Sequence, residues 1–444
     1  MFNTGNEMDV SSRRHIGLHI LVICVWVIVL AGMFYLVAKP VRDPSLDFFV
    51  YYFGASAIRE EKPLYSPETY EGIYEETGIM VAGQYPYPPT LLLFIQPFLF
   101  VSPYVGSLLW FSINVGLLLS GVALLFKGSN LQNHRMRVAL GLLPLFFIPI
   151  LMALYLGSVN FLMLVLIVLA YQGFVGRRHY SSGLLLAVAT WIKLWPLILI
   201  AYFGWKREWK VLLGAVIGLV LVGALTLALA GVDQTTSFFN DRLAELATGT
   251  FPGLDHHNQS ISGIFAKMFD PSSEYVRPLI HNPTVAQQGS RIATWLLIVT
   301  TVLLCSWPIN LKDRKQFSTE FTLVIIATLL IAGWGTWEAS LTLLLPAYFF
   351  IAEEIQQEQM TSWKLIAVSI ASIILINIHR VLWTVGNPDK QSLPWFLLIF
   401  PFLGLILVWL VFVRRRVQEI KTRPVDSLSA FYWTAYSTAL GRKK

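Results

Sequence analysis

One carboxylate and one lysine stand out in this sequence, because each lies where a strongly apolar chain rarely carries a charge. Asp47 opens the run DFFVYY after the first long apolar segment, and Lys193 interrupts the stretch LLLAVATWIKLWPLILI. A carboxylate can take the proton of an attacking hydroxyl group, and a lysine can contact a phosphate as a point charge. The pair suits transfer of a sugar from a phospholipid carrier to a hydroxyl group, which needs a base at the acceptor and positive charge near the leaving phosphate.

Each of these residues also has a plainer interpretation. Asp is a good N-cap, so Asp47 can simply cap a helix that starts at Phe48. Lys193, flanked by two tryptophans and followed by Pro196, can extend its ammonium group to the membrane interface from a turn. Asp43 and Asp47 are separated by Pro44 and match no known ligand spacing, so we predict no metal site.

Three further polar residues are candidates for substrate binding. Asn258 and Gln259 lie in a polar segment and can donate hydrogen bonds to sugar hydroxyls, although an ordinary polar loop has the same composition. Glu338 follows two tryptophans in an apolar context, where a carboxylate is rare. It can shape a sugar pocket or pair with a nearby cation.

The composition places the chain in the membrane. It is 55% hydrophobic and 13% charged, whereas soluble domains are roughly a quarter charged. The net charge of +7 comes from basic clusters at the ends of apolar spans, which is typical of cytoplasmic anchoring and not of nucleic-acid binding. No Gly-rich phosphate loop or nucleotide motif is present, so we predict no cofactor.

Placing the basic clusters in the cytoplasm gives a topology. The prediction is a cytoplasmic N-terminus (1–16), a transmembrane domain (17–413) and a basic cytoplasmic tail (414–444). Two polar segments then form outer loops, a first loop (39–87) and a second loop (231–289). We expect an all-α membrane helix bundle with about twelve transmembrane helices, because each crossing needs about 20 apolar residues.

Three local features of this bundle can be predicted. Amphipathic helices at 48–59 and 67–76 are expected to lie along the outer interface. The stretch 181–203 has basic residues on both sides and must cross an even number of times. It therefore predicts two short helices, with a turn at 191–196 and Lys193 at its tip.

The same topology gathers the candidate polar residues on the outer face, which favours an enzyme. A transporter or flippase of lipid-linked or small polar substrates is the alternative, since it would also explain many helices with buried polar residues. Transporters usually place such residues at mid-membrane between related halves, and no related halves are visible here.

Several short motifs, taken in order, resemble a known family. They are DFFVYY from Asp47, PLY at 63–65, YPYPPTLLLFIQPFLFVSP from Tyr85, GSVNFL from Gly157, KLWPLIL from Lys193, HNQS from His257 and GTWEAS from Gly335. This order resembles the bacterial polyprenyl-phosphate-mannose-dependent alpha-1,2-mannosyltransferases, glycosyltransferases of the GT-C class that include the phosphatidylinositol-mannoside mannosyltransferases. The resemblance runs from about 47 to 346, most of the chain.

The resemblance implies a multi-pass, inverting enzyme of the bacterial inner membrane with its active site on the outer face. Its expected partners are membrane lipid, a polyprenyl-phosphate sugar as donor, with mannose as the expected sugar, and a glycolipid or glycan as acceptor. The residues that match the family's motifs are Asp47 as catalytic base and, for binding, Tyr87, Asn160, Lys193, Asn258 and Gln259.

One departure from the family pattern comes late in the chain. Where the family usually has Ser-Trp-Glu-His-His, this sequence has Thr336, Trp337, Glu338, Ala339 and Ser340. Glu338 is kept and both histidines are replaced. A different donor, a different acceptor or a loss of activity, as in an assembly partner, would each account for the change.

Overall fold

The computed structural model describes residues 5–38, 47–79, 81, 83–248, 257–270, 276–332, 336–357, 362–386 and 393–422. Most of these residues are helical and the only strands among them are two residues long, which confirms the predicted all-α class. The N-terminal part of the chain contains α1 Gly5–Ala38, α2 Asp47–Arg59, α3 Glu68–Glu71, α4 Ile73–Thr77, α5 Thr90–Ile95, a 3-10 helix Gln96–Phe100, α6 Pro103–Gly128, α7 His134–Phe146, α8 Ile148–Leu156, α9 Asn160–Val175, α10 His179–Ile192, α11 Leu197–Trp205 and α12 Trp209–Ala230.

The remaining elements are shorter on average. They are α13 Val232–Ser237, a π-helix Phe238–Arg242, α14 Leu243–Thr248, α15 Ile261–Phe269, α16 Pro283–Ser306, α17 Arg314–Ile331, a 3-10 helix Glu338–Leu344, α18 Leu345–Gln357, α19 Ser362–Gly386, a 3-10 helix Trp395–Leu397 and α20 Phe400–Lys421. Two-residue strands, β1 Val276–Arg277 and β2 Leu393–Pro394, pair in parallel.

The chain forms two compact units. The first comprises Met1–Leu254 and Thr336–Trp363, and the second comprises Asp255–Gly335 and Lys364–Lys444. The first unit contains α1 to α14 and α18. The second contains α15 to α17, α20 and most of α19.

Five helices in the described part of the chain are long and apolar enough to cross a bilayer. They contain the segments Ile20–Ala38, Pro103–Gly128, Trp209–Ala230, Pro283–Ser306 and Trp363–Leu382. A sixth is possible if α7 and α8, which meet at 48°, form one broken span. The protein is therefore a polytopic integral membrane protein, but the predicted count of about twelve crossings is not confirmed, because several expected crossings fall short of the ~20 residues a span requires.

Side-chain caps fix where the longer helices begin. The hydroxyl oxygen of Ser102 accepts a hydrogen bond from the Val105 amide at the start of α6, just before Pro103. Asn282 and Asp313 cap α16 and α17 in the same way. Each cap satisfies amide groups that the first turn of a helix leaves unpaired.

The two short helices predicted within 181–203 are confirmed as α10 and α11, and α10 is held by close contact with α12. A Cβ atom added at Gly183 would overlap the carbonyl oxygen of Val211, and one added at Gly214 would overlap that of Tyr180. Small residues allow the two backbones to approach this closely. The position of α10, and so of the turn that follows it, depends on this contact.

The second unit contains a buried ion pair near the end of α20. Arg416 and Glu320 are both 0% exposed and lie 2.7 Å apart, from Nη2 to Oε1. The guanidinium also donates to the carbonyl oxygens of Leu304 and Trp307, at 3.2 and 2.8 Å. Helix α20 thus continues through the basic cluster that the sequence places at the start of a tail, and part of that cluster packs inside the unit.

We predict that Gly183→Ala lowers the thermal unfolding midpoint of the purified protein in detergent. The added methyl group forces α10 away from α12, and overpacking of this kind costs about 1–3 kcal/mol. Gly116→Ala is the matched control, because no atom lies within 4 Å of a Cβ added at Gly116 in α6. Equal midpoints for the two variants would show that the close contact does not matter for stability.

Candidate active site

Asp47 is the first residue of α2, and aromatic packing holds this helix in place. Phe48 stacks on Trp110 with ring centroids 6.2 Å apart and meets Phe98 edge-on at 5.7 Å. Phe48 and Phe49 are each 1% exposed. The predicted helix at 48–59 is thus confirmed, with Asp47 in its first turn, where the helix dipole favours a negative charge.

The carboxylate of Asp47 is partly buried and has two hydroxyl neighbours. The Tyr51 hydroxyl, one helical turn away, donates to Asp47 Oδ2 over a long 3.4 Å, and the Ser158 hydroxyl also donates to this carboxylate. Burial raises the pKa of Asp47 to about 6, while the charge of Lys193 and the two hydroxyl groups act in the opposite direction. A carboxyl group with a pKa near neutrality is suited to accept a proton.

The turn between α8 and α9 supplies Ser158, and Gly157 shapes that turn. Gly157 has φ +69°, in the left-handed region that glycine adopts without strain. Its carbonyl oxygen accepts a 2.6 Å hydrogen bond from Trp110 Nε1. A Cβ atom at this position would lie 3.2 Å from that of Phe48, so the turn also needs a small residue for space.

Lys193 lies at the tip of the α10–α11 hairpin, as predicted. Its backbone is extended, with φ −139° and ψ 129°, because α10 ends at Ile192 and Pro196 precedes α11. The side chain is 4% exposed. Its Nζ donates to Asn160 Oδ1 at 2.8 Å and lies 4.8 Å from the centroid of the Tyr87 ring. The lysine is therefore directed into the protein and does not extend to solvent.

The structure thus brings four of the predicted site residues together, namely Asp47, Tyr87, Asn160 and Lys193. They come from α2, the end of the first loop, the start of α9 and the α10–α11 turn, all within the first unit. Together they form one cation, one carboxylate, one amide and one aromatic face around a common point. We refer to these four residues as the Asp47–Lys193 cluster.

Sequence reasoning missed two members of this site. Tyr51 is four residues after Asp47, which puts both side chains on one face of α2 and would have been a usable signal. Ser158 is part of the GSVNFL motif, but it was not among the predicted site residues. Its hydroxyl group contacts a residue more than a hundred positions away, and no local pattern predicts such a contact.

Glu338 lies in the first unit, at the start of the 3-10 helix Glu338–Leu344. That helix packs against α8 and α9, the two helices joined by the Ser158 turn. The Glu338 side chain is 5% exposed. Its position is consistent with the predicted role in a sugar pocket, which stays a prediction.

Asn258 and Gln259 lie in the second unit, immediately before α15, and both are 0% exposed. Asn258 has structural contacts: its Oδ1 accepts a hydrogen bond from the Ser260 amide at 3.0 Å, and its backbone oxygen accepts one from Lys267 Nζ at 2.6 Å. The side-chain amide of Gln259 has no hydrogen-bond partner among the described residues. Of the two, Gln259 is therefore the better candidate to bind a ligand.

Comparison with known proteins gives the family. The model of glycosyltransferase family 87 matches residues 85–324, more than half of the sequence. The chain belongs to this family. The match includes Tyr87, Asn160, Lys193, Asn258 and Gln259, whereas Asp47 and Glu338 lie outside it. The family predicted from the order of motifs is thereby confirmed, and the protein is a membrane glycosyltransferase.

A characterised relative gives a narrower comparison. The family 87 chain is 21% identical over 361 residues to a polyprenol-phosphate-mannose-dependent alpha-(1-2)-phosphatidylinositol mannoside mannosyltransferase of Mycobacterium tuberculosis. The alignment covers 76% of each chain, so the similarity extends over most of both proteins. It supports a hexosyltransferase.

We predict that the carboxyl group of Asp47 titrates near pH 6 and that Lys193→Gln raises this value. Removing the ammonium group removes the charge that favours the ionised carboxylate. Infrared difference spectra over pH 4–9 should show a protonated carboxyl band that disappears with a midpoint of about 6. The band should be absent in Asp47→Asn, and an unchanged or lower midpoint in Lys193→Gln would contradict the prediction.

Proposed function

We propose that this family 87 protein transfers mannose from a polyprenyl-phosphate carrier to a hydroxyl group of a glycolipid or glycan, at the outer face of the bacterial inner membrane and with inversion at the anomeric carbon. The observation that carries the proposal is the Asp47–Lys193 cluster, in which a carboxylate and a buried ammonium group face the same site. The carboxylate can act on the acceptor hydroxyl, and the ammonium group can act on the donor phosphate. The name of the mycobacterial relative supports the donor and the sugar.

The carboxylate serves the acceptor. As the acceptor oxygen bonds to the anomeric carbon, its proton passes to Asp47, because an alcohol is a poor nucleophile until that proton is removed. At the same time the bond from the anomeric carbon to the phosphate oxygen breaks, and the electron pair leaves with the polyprenyl phosphate. A single displacement of this kind inverts the anomeric configuration.

The ammonium group serves the donor. Lys193 is held by the Asn160 oxygen and the Tyr87 ring, both of which tolerate a cation without neutralising it. Its positive charge remains available for the phosphate, on which negative charge grows as the bond breaks. A fixed charge in a site shielded from water stabilises such a transition state more than it would in bulk solvent.

The proposed location follows from the pattern of basic residues. Clusters such as Lys206-Arg207 and Lys312 to Lys315 favour the cytoplasmic side. The α10–α11 tip and the first loop then lie on the outer side. A lipid-linked donor suits this location, because nucleotide sugars are made in the cytoplasm and a polyprenyl carrier presents its sugar at the membrane.

The first prediction concerns the base. Asp47→Asn keeps the size and hydrogen bonding of the side chain but cannot accept the proton, so we expect transfer to fall by about 10²–10⁴-fold. The assay uses purified protein in lipid, radiolabelled polyprenyl-phosphate mannose and a membrane extract as acceptor source. Glu75→Gln, at an exposed carboxylate on α4, is the matched control and should keep its activity.

The outcomes separate the competing interpretations. Turnover of Asp47→Asn near that of wild type would exclude the base role. Transfer from polyprenyl-phosphate glucose instead of mannose would keep the reaction class and assign a different sugar, in line with Ala339 and Ser340 in place of the family's histidines. No transfer from any carrier-linked sugar by wild type would favour the transporter.

The second prediction concerns Lys193. We expect Lys193→Gln to raise the KM for the polyprenyl-phosphate donor by about tenfold or more, as loss of a charged hydrogen bond does, with the KM for acceptor unchanged. The assay is run at pH 7, between the pKa of Asp47, which is about 6, and the pKa of Lys193, which burial lowers to about 8. Lys206→Gln is the matched control, since Lys206 Nζ also lies over a tyrosine ring, that of Tyr202, at 5.8 Å. An unchanged donor KM would remove Lys193 from the donor site.

A further inference from the structure

A buried arginine that the mechanism does not use lies in the second loop. Arg242 ends the π-helix Phe238–Arg242 and is 1% exposed. Its Nη1 donates to Glu245 Oε2 at 2.7 Å. Its Nη2 donates to the backbone oxygen of Tyr65 at 2.8 Å and to Oε1 of Gln84. One side chain of the second loop thus contacts two separate points of the first loop.

Both of these points are linked to Tyr87. The guanidinium carbon of Arg242 lies 5.4 Å from the centroid of the Tyr65 ring. The hydroxyl group of that ring donates to the backbone oxygen of Tyr87 at 2.8 Å. Gln84, the other partner, is three residues before Tyr87. Arg242 therefore holds the segment that carries Tyr87 at two points, one through Gln84 and one through Tyr65.

A neighbouring glutamine makes the same connection independently. Gln234 on α13 accepts a hydrogen bond from the Leu64 amide at 2.9 Å and donates one to the backbone oxygen of Lys62 at 2.8 Å. Phe238, which is fully buried, packs on Tyr65 with ring centroids 5.9 Å apart. The segment 232–242 thus acts as a clasp on the first loop. A π-helix of this kind often occurs at a functional site.

We propose that Arg242 is a positioning residue for the donor site: it holds Tyr65 and Gln84 so that the Tyr87 ring stays under the ammonium group of Lys193. Arg242 acts on the cluster through Tyr65, whose ring it covers and whose hydroxyl group donates to Tyr87. A guanidinium is suited to the task, because its fixed fork reaches several oxygen acceptors at once, which lysine cannot do.

The inference rests on the proposed function only for its effect on the donor, so the test has one readout that needs no activity. 3-Fluorotyrosine is placed at position 87, and its ¹⁹F resonance reports the environment of the ring beneath Lys193. Arg242→Gln should shift or broaden this resonance. It should also raise the donor KM about fivefold, the equivalent of one hydrogen bond, with the rate at saturating donor and the acceptor KM nearly unchanged.

Three further variants sharpen the test. Arg242→Lys should change the ¹⁹F resonance and the donor KM less than Arg242→Gln does. Tyr65→Phe removes only the hydroxyl group that contacts Tyr87 and should reproduce the ¹⁹F change if Arg242→Gln fails to fold. Arg59→Gln is the matched control, because Arg59 also lies over an aromatic ring, that of Phe100 at 5.7 Å. Arg59 is exposed and is the last residue of α2, at the opposite end of the helix from Asp47.

The outcomes are distinct. A ¹⁹F resonance unchanged in both Arg242→Gln and Tyr65→Phe, or one moved equally by Arg59→Gln, overturns the proposal. A loss of maximal rate with an unchanged donor KM overturns it as well, because positioning of Tyr87 should act on donor binding. If wild type transfers no sugar, the proposed function fails, and the ¹⁹F result alone still decides whether Arg242 positions Tyr87.

Discussion

Lys193 is 4% exposed, at a turn between two otherwise apolar helices. Removing such a charge from water costs several kcal/mol. Its neutral partners recover only part of this: a hydrogen bond to a charged group contributes about 1.5–3 kcal/mol, and a cation–π contact about 0.5–2 kcal/mol. The negative charge of Asp47 stabilises the ammonium group further. Burial of this lysine therefore depends on four segments that are distant in the sequence, namely α2, the end of the first loop, the start of α9 and the α10–α11 turn.

The packing around the cluster serves the same requirement. Lysine at a helical tip can easily extend to solvent, so its burial depends on the exact position of α10. The backbone contact at Gly183 and Gly214 sets that position from one side. On the other side, Phe48 and Trp110 lock α2 against α6, and Trp110 also binds the carbonyl oxygen of Gly157. One tryptophan thus couples the helix that carries Asp47 to the turn that carries Ser158.

The sequence predicted the parts of this arrangement that depend on composition and on charge at span ends. The all-helical class, the two short helices with Lys193 in the turn between them, and a helix over 48–59 all follow from apolar length, basic flanks and proline. The number of spans could not be predicted in this way. Helices α9, α10 and α11 are shorter than a bilayer crossing, and apolarity alone does not distinguish a crossing from a buried half-span. Arg416 and Arg242 were not predicted either. Their burial depends on partners far along the chain, Glu320 and Tyr65, and neither gives a periodic signal.

In the proposed reaction Lys193 interacts with both Asp47 and the donor phosphate, and this has a useful consequence. In the resting site its charge stabilises the ionised form of Asp47 and limits how far burial raises the pKa of that carboxyl group. As the sugar–phosphate bond breaks, negative charge accumulates on the phosphate, and the same ammonium group must divide its attraction between two anions. Asp47 then becomes a stronger base as the acceptor proton becomes more acidic. Proton transfer and departure of the phosphate are thereby coupled through one cation. This coupling requires the Tyr87 ring, which holds the ammonium group of Lys193 without neutralising it. A residue that positions this ring, as proposed for Arg242, would therefore affect donor binding.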